Sequence, residues 1–206
     1  IGLVNEIALM CHKMDIDVWE VIDAAKTKPF GFMPFYPGPG LGGHCIPVDP
    51  VYLSWKARQN GFECRFIELA GHVNSSMPGY VVQRVADALN SVRKPMNGSR
   101  VHLFGVAYKR DVSDLRESPA LDIMERLAKG GASVSYTDPY VPRVVHAGHS
   151  IESVPFEAAL TASFDCAVIC TDHTSFDYAR LAAELPLIVD TRNALKGLDV
   201  ASILRV

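Results

Sequence analysis

The chain has no surplus of positive charge: 20 lysines and arginines stand against 23 aspartates and glutamates, a formal net charge of −3 over 206 residues. A basic face for nucleic acid or an anionic membrane is thereby disfavoured. Long apolar runs are also missing, and none approaches the roughly 18 residues of a membrane span. The seven histidines contain no H-x-x-x-H pair, so no metal site is expected. Five cysteines make an odd number without the dense spacing of a small secreted framework. That pattern points to reduced thiols and a cytoplasmic protein.

What is present is ordinary in bulk and uneven along its length. Hydrophobic residues make up 49% and charged residues 21%, as in a globular protein of one large or two modest domains. Residues 1–94 read as helical. Leu3, Val4, Ile7, Met10, Cys11 and Met14 fall at helical spacing with no cap before them, so the chain is expected to start inside a longer helix. Asp17 and Glu20 form a capping signature for a helix over 18–25. Further helices are expected over 51–59 and from about 66 to 90, the latter kinked or interrupted at Pro78-Gly79.

A composition break at Arg93-Lys94-Pro95-Met96-Asn97-Gly98 reads as a linker. Beyond it, residues 95–206 alternate between strand and helix. Short apolar strands are expected over 101–108, 133–136, 166–170 and 187–189, with an amphipathic helix over 120–129. Such alternation makes an α/β fold: a helical domain, then a Rossmann-like parallel sheet. Ligands of such sheets sit beyond the strands' carboxyl ends. Lys109-Arg110-Asp111, Thr171-Asp172-His173 and Asp190-Thr191-Arg192 fall there.

The segment Gly38 to Pro50, GPGLGGHCIPVDP, is the most informative stretch. Four glycines in six residues precede His44 and Cys45, and Asp49 follows four positions on. Glycines allow close backbone approach to a ligand, and the prolines stiffen the loop. A thiol and a carboxylate on such a loop suit covalent catalysis, and a neighbouring imidazole would favour the thiolate. Gly38, Gly40 and Gly43 also satisfy G-x-G-x-x-G. The prolines on both flanks argue against the strand and helix that a dinucleotide fingerprint requires. Cys11, Cys64, Cys166 and Cys170 read as buried core thiols, whereas Cys45 is open to either a functional or a structural role. His72 and His102 read as structural. Ser118 and Pro119 open the 120–129 helix, and Lys109 and Arg116 on the loop feeding it suggest an anion site.

Taken together, residues 37–50, Gly105-Val106-Ala107-Tyr108-Lys109 and Asp114-Leu115-Arg116-Glu117-Ser118-Pro119 resemble the UDP-glucose/GDP-mannose dehydrogenase family, the nucleotide-sugar 6-dehydrogenases. The stretch Lys28 to Tyr36 is most similar to the UDP-N-acetylglucosamine branch, and Asp190-Thr191-Arg192 is similar to the family's Asp-Gly-Arg. The resemblance implies NAD-dependent oxidation of a sugar CH₂OH to a carboxylate, with Cys45 as nucleophile and Asp49 positioning or activating water. It further implies sugar contacts from Tyr36, Gly38, Gly40, Leu41 and Gly42, nucleotide contacts from Tyr108, Lys109 and Arg192, and NAD contacts from Arg116, Cys45 and Val48. A homodimer through the central helices is expected as well, since their apolar stripes exceed what one small domain covers. Family members begin with an NAD-binding domain and carry a catalytic lysine and asparagine upstream; neither is found here, so these 206 residues are expected to be inactive alone. A binding and dimerisation module in which Cys45 is merely retained is the competing reading.

Overall fold

The computed structural model describes residues 1–146, 149–198 and 203–205. Four helices come first: α1 (Gly2–Lys13), α2 (Val18–Ala25), α3 (Cys45–Gln59) and α4 (Arg65–Ser91). Asp17 caps α2, its Oδ1 accepting from the Trp19 N–H at 2.8 Å. Val18, Trp19 and Ile22 of α2 pack on Val4, Ala8 and Cys11 of α1 in a small core. α1 crosses α4 closely, where a Cβ on Gly2 would stand 2.9 Å from Ala70.

Two helices differ from expectation. α3 starts at Cys45, six residues earlier than the prolines suggested. Pro47 lies in the first turn, where a backbone N–H has no intrahelical partner to lose. α4 runs unbroken through Pro78-Gly79. Its proline removes one backbone bond, but Met77, Pro78 and Val81 are buried there, which offsets the loss.

The second half carries β1 (Arg100–Phe104), α5 (Pro119–Lys129), β2 (Ser133–Thr137), β3 (Arg143–His146), β4 (His149–Glu152), α6 (Phe156–Thr161), β5 (Cys166–Ile169), α7 (Tyr178–Glu184), β6 (Ile188–Asp190) and β7 (Ile203–Arg205). Five strands form one sheet in the order β2-β1-β5-β6-β7, every adjacent pair parallel. β3 and β4 form a separate antiparallel hairpin. The chain leaves β1 for β2 on one side and later returns to β5 on the other. The carboxyl ends of β1 and β5 are therefore the switch point where such sheets bind ligands.

The 93–98 segment is a turn, but packing does not divide there. Val81, Val85, Ala88 and Leu89 of α4 share one core with Val101 and Leu103 of β1, Ile123 and Leu127 of α5 and Val168 of β5. A chain cut at residue 95 would strip an entire helix face from that core.

His102 lies on the other face of β1, stacked on Phe164 and fully buried, with Nδ1 at 2.8 Å from Ser135 Oγ and Nε2 at 2.9 Å from Thr137 Oγ1. Burial drives its pKa from 6.5 down to about 3. Because the folded value lies below the unfolded one, its contribution is complete above about pH 6.5 and is lost as pH falls toward 3. Unfolding at pH 4.5 is expected to be about 2–3 kcal/mol easier than at pH 7 from this group alone. Denaturant titrations of wild type and His102→Gln at both pH values check this, the variant losing that part of the difference.

Candidate active site

Cys45 is exposed at the first position of α3, with Asp49 one turn along the same helix and also exposed. His44 Nδ1 lies 3.7 Å from Asp49 Oδ1. Cys166 and Cys170, by contrast, are pushed up to about 12 by burial and are inert. Cys11 is buried as expected, but Cys64 is only partly so, at the N-cap of α4.

The metal expectation weighed histidine spacing alone. Among the described residues, donor atoms of His44, Cys45 and Asp49 all lie within 4.8 Å of one another. That group consists of exposed Cys45 and its two polar neighbours.

The glycine loop is closely approached by other parts of the chain. A Cβ on Gly38 would lie 2.9 Å from the Arg192 guanidinium; on Gly40, 2.9 Å from Pro119; on Gly42, 2.5 Å from Tyr108 Cβ and 2.9 Å from the Glu117 carbonyl; on Gly43, 2.9 Å from the Tyr108 ring. The Gly43 N–H donates to the Arg116 carbonyl at 2.8 Å. The missing side chains thus let the sheet's loops close onto this segment. At its other end, buried Asn5 accepts from the Gly38 N–H at 3.1 Å and donates to Asn74 at 2.9 Å. Asn5 and Asn74 anchor the loop to α1 and α4; removing Asn5 would leave buried polar groups unpaired, at about 1–3 kcal/mol.

Four of the expected substrate residues line two cavities, and Gly38, Gly42, Tyr108 and Lys109 are in the lining of neither. Tyr36 and Arg192 line one of about 360 Å³, with Trp19, Arg110, Asp172 and Lys196. Tyr36 stacks on Trp19, ring centroids 5.7 Å apart. Arg192 is held by its Nε donating to the Cys170 carbonyl at 2.8 Å. Asp23, bridging Lys196 and Lys26 across the domains, is drawn down to about 2, chiefly by its bond to Lys196. Gly40 and Leu41 line a larger cavity of about 1290 Å³, together with Ile46 and Pro47 beside Cys45 and with Ser118 and Pro119.

Tyr108 backs onto Gly42 and Gly43, and Lys109 Nζ sits 5.4 Å from its ring centroid. The anion site at α5 is not assembled as expected. Ser118 Oγ donates inward to the Val106 carbonyl rather than capping the helix. Arg116 folds back in a fork onto Asp114, Nε–Oδ2 2.9 Å and Nη2–Oδ2 2.6 Å. That partner keeps the Asp114 carboxyl below its usual range. Trp19, Lys196, Asn5 and Asn74 escaped the sequence reading because their partners lie far away in the chain.

The profile of the UDP-glucose/GDP-mannose dehydrogenase family's central domain matches residues 1–76, and that of its UDP binding domain matches residues 102–197. The UDP-N-acetyl-D-mannosamine dehydrogenase of Methanococcus maripaludis is 32% identical over 95% of this chain and 45% of its own length. The UDP-N-acetyl-D-glucosamine 6-dehydrogenase of Pseudomonas aeruginosa is 36% identical over 85% of this chain and 41% of its own. Among solved structures, the UDP-D-ManNAc dehydrogenase of Pyrococcus horikoshii superposes with a TM-score of 0.83 at 29% identity, covering all of this chain and 48% of that one. The chain thus spans about half the length of these relatives. Two domain profiles in the family's order, over a fold shared with its solved members, show that the chain belongs to the UDP-glucose/GDP-mannose dehydrogenase family.

Proposed function

We propose that this chain supplies the thiol and the nucleotide-sugar site of an NAD-dependent dehydrogenase that oxidises C6 of a UDP-N-acetylhexosamine to the uronate. The observation that carries the reading is an exposed Cys45, one helical turn from Asp49, at the end of a loop gripped by the segment that bears Tyr108 and Lys109. N-acetylhexosamines are preferred over glucose because relatives at 32% and 36% identity are named for N-acetylmannosamine and N-acetylglucosamine.

NAD, when bound, supplies the hydride acceptor for both oxidations. Its fit to the described residues is partial. Exposed Arg116, braced by Asp114, suits a polyanionic cofactor, with Cys45 and Val48 at the same helix start. The turn after β1 offers it no phosphate cradle, because the Val106 and Ala107 N–H groups are already bound to Asp138. Cys45 acts on the aldehyde stage: its thiolate adds to C6, and the tetrahedral oxygen takes a proton. Once that adduct has been oxidised to the thioester, water attacks the same carbon and Asp49 receives a proton from it. The C–S bond then breaks, releasing the thiolate and the carboxylic acid, which gives its remaining proton to solvent to become the carboxylate. Holding the aldehyde covalently keeps it from escaping. Tyr36, Lys109 and Arg192 bind and orient the UDP-sugar, and the Gly38–Gly42 loop aligns C6 with the sulfur.

Calorimetry of the 206-residue chain with UDP is expected to give saturable binding, weakened at least about tenfold in Arg192→Met. No heat at millimolar UDP from a chain folded by near-UV circular dichroism would count against the nucleotide assignment.

Homodimerisation through the helical half belongs to the same reading. Phe66, Tyr52, Leu53 and Trp55 stand largely exposed on α3 and the start of α4, and within α3 only Ser54 is buried. Sedimentation at tens of micromolar is expected to show a dimer, and a monomer alone would contradict it. No helix among the described residues is long and apolar enough to cross a membrane.

A further inference from the structure

In dinucleotide-binding sheets the first strand's turn presents its N–H groups to a phosphate, and an acid at the end of the second strand holds a ribose. Here those two parts are joined to each other. Asp138, just past β2 and buried, accepts from the Val106 and Ala107 N–H groups through Oδ2 at 2.7 and 3.0 Å. Its Oδ1 accepts from the Tyr140 and Val141 N–H groups. A fifth donor is His173 Nε2, 3.0 Å from Oδ2. His173 Nδ1 in turn accepts from the Asp111 N–H at 2.9 Å, which places the imidazole proton on Nε2. The ring is fully buried, against Tyr140 and Phe176.

The loop after β5 therefore holds the loop after β1 at both ends. Thr171 Oγ1 donates to the Ala107 carbonyl at 2.6 Å, and Thr174 donates through N and Oγ1 to Asp111 at 2.9 and 2.8 Å. Tyr108 and Lys109 are the residues spanned between these grips, and Lys109 is exposed. Of the Thr171-Asp172-His173 cluster, read from sequence as facing ligand, Thr171 and His173 are turned onto the neighbouring loop, while Asp172 lines the cavity with Tyr36 and Arg192.

We propose that His173, with Asp138, is a positioning pair: an internal carboxylate takes the place of a phosphate and fixes residues 105–111, so that Tyr108 and Lys109 are preset for the nucleotide. This rests on the UDP-sugar reading above for its ligand, although the fixing of the loop is independent of it. His173→Phe keeps the ring packing but satisfies neither Asp111 nor Asp138. His173→Gln can still donate to Asp138, its amide reaching the Nε2 position.

Hydrogen exchange by mass spectrometry on the 206-residue chain is the first arm. Exchange of the 105–111 peptide is expected to quicken about tenfold or more in His173→Phe and to be partly restored in His173→Gln, with α5 unchanged. UDP calorimetry is the second. The affinity is expected to fall about tenfold in His173→Phe, and the loss caused by Lys109→Ala is expected to shrink in that background, because the lysine is no longer held in place. Unchanged exchange, or quickened exchange with undiminished UDP affinity and an additive Lys109→Ala effect, overturns the proposal. Should His173→Phe fail to fold, His173→Gln decides by the same two readouts. A wild-type chain that takes up no UDP refutes the ligand reading, and the exchange arm alone then judges the pair.

Discussion

Cys45→Ser, assayed in a polypeptide that also supplies a dinucleotide-binding domain, is expected to lower NADH formation from a UDP-N-acetylhexosamine by roughly 10³-fold or more. A serine hydroxyl at an exposed helix start has no base to ionise it beyond Asp49 and His44, whereas a thiol there yields thiolate far more readily. The loss should fall on kcat with KM little changed. Cys45 neither lines the cavity holding Tyr36 and Arg192 nor anchors the loop, which Asn5 and the Arg116 carbonyl hold instead. Asp49→Asn gives the complementary result. Thioester hydrolysis should slow, and mass spectrometry of the peptide containing Cys45 should detect an acyl adduct after substrate and NAD are added. Retained turnover in Cys45→Ser would remove the covalent step from the assignment. Lost turnover together with lost UDP binding would instead mean that the thiol is structural.

That thiol could be picked out in sequence because its neighbours are glycine, histidine and proline rather than aliphatics. The fold was legible where burial leaves an unmixed signal. β1, β5 and β6 are covered on both faces, so they appear as short apolar runs. The β3–β4 hairpin and three-residue β7 carry few inward side chains, Val144 and Ile151 among them, and passed unnoticed. The start of α3 was hidden by prolines: Pro47 falls in the first turn, where it costs little, and the helix continues through Pro50. The hub of Asp138 and His173 could not be read at all. Apart from the local turn bonds from Tyr140 and Val141, its hydrogen bonds join residues 31 to 62 positions apart.

The glycines expose the same limit most sharply, since sequence advertises their freedom but not what fills the space beside them. Gly42→Ala is expected to cost about 1–3 kcal/mol by overpacking, because its Cβ would meet Tyr108 Cβ at 2.5 Å and the Glu117 carbonyl at 2.9 Å. Neither neighbour is the free end of a flexible side chain, so the loop itself must shift. Gly42 is three residues from Cys45 and adjoins Gly43, whose N–H fixes the loop to Arg116. A displacement of about 1 Å at the sulfur is enough to lower kcat/KM by roughly 10². Gly71→Ala is the matched control: nothing lies within 4 Å of its Cβ position in α4, so the change should stabilise by about 0.5–1 kcal/mol. Thermal denaturation of both variants, with kcat/KM in the NAD-supplemented assay, tests the claim that the glycines are there for the neighbouring domain. A Gly42→Ala protein with wild-type melting and wild-type kcat/KM would show that the loop has room to move, and would return its glycines to the ligand.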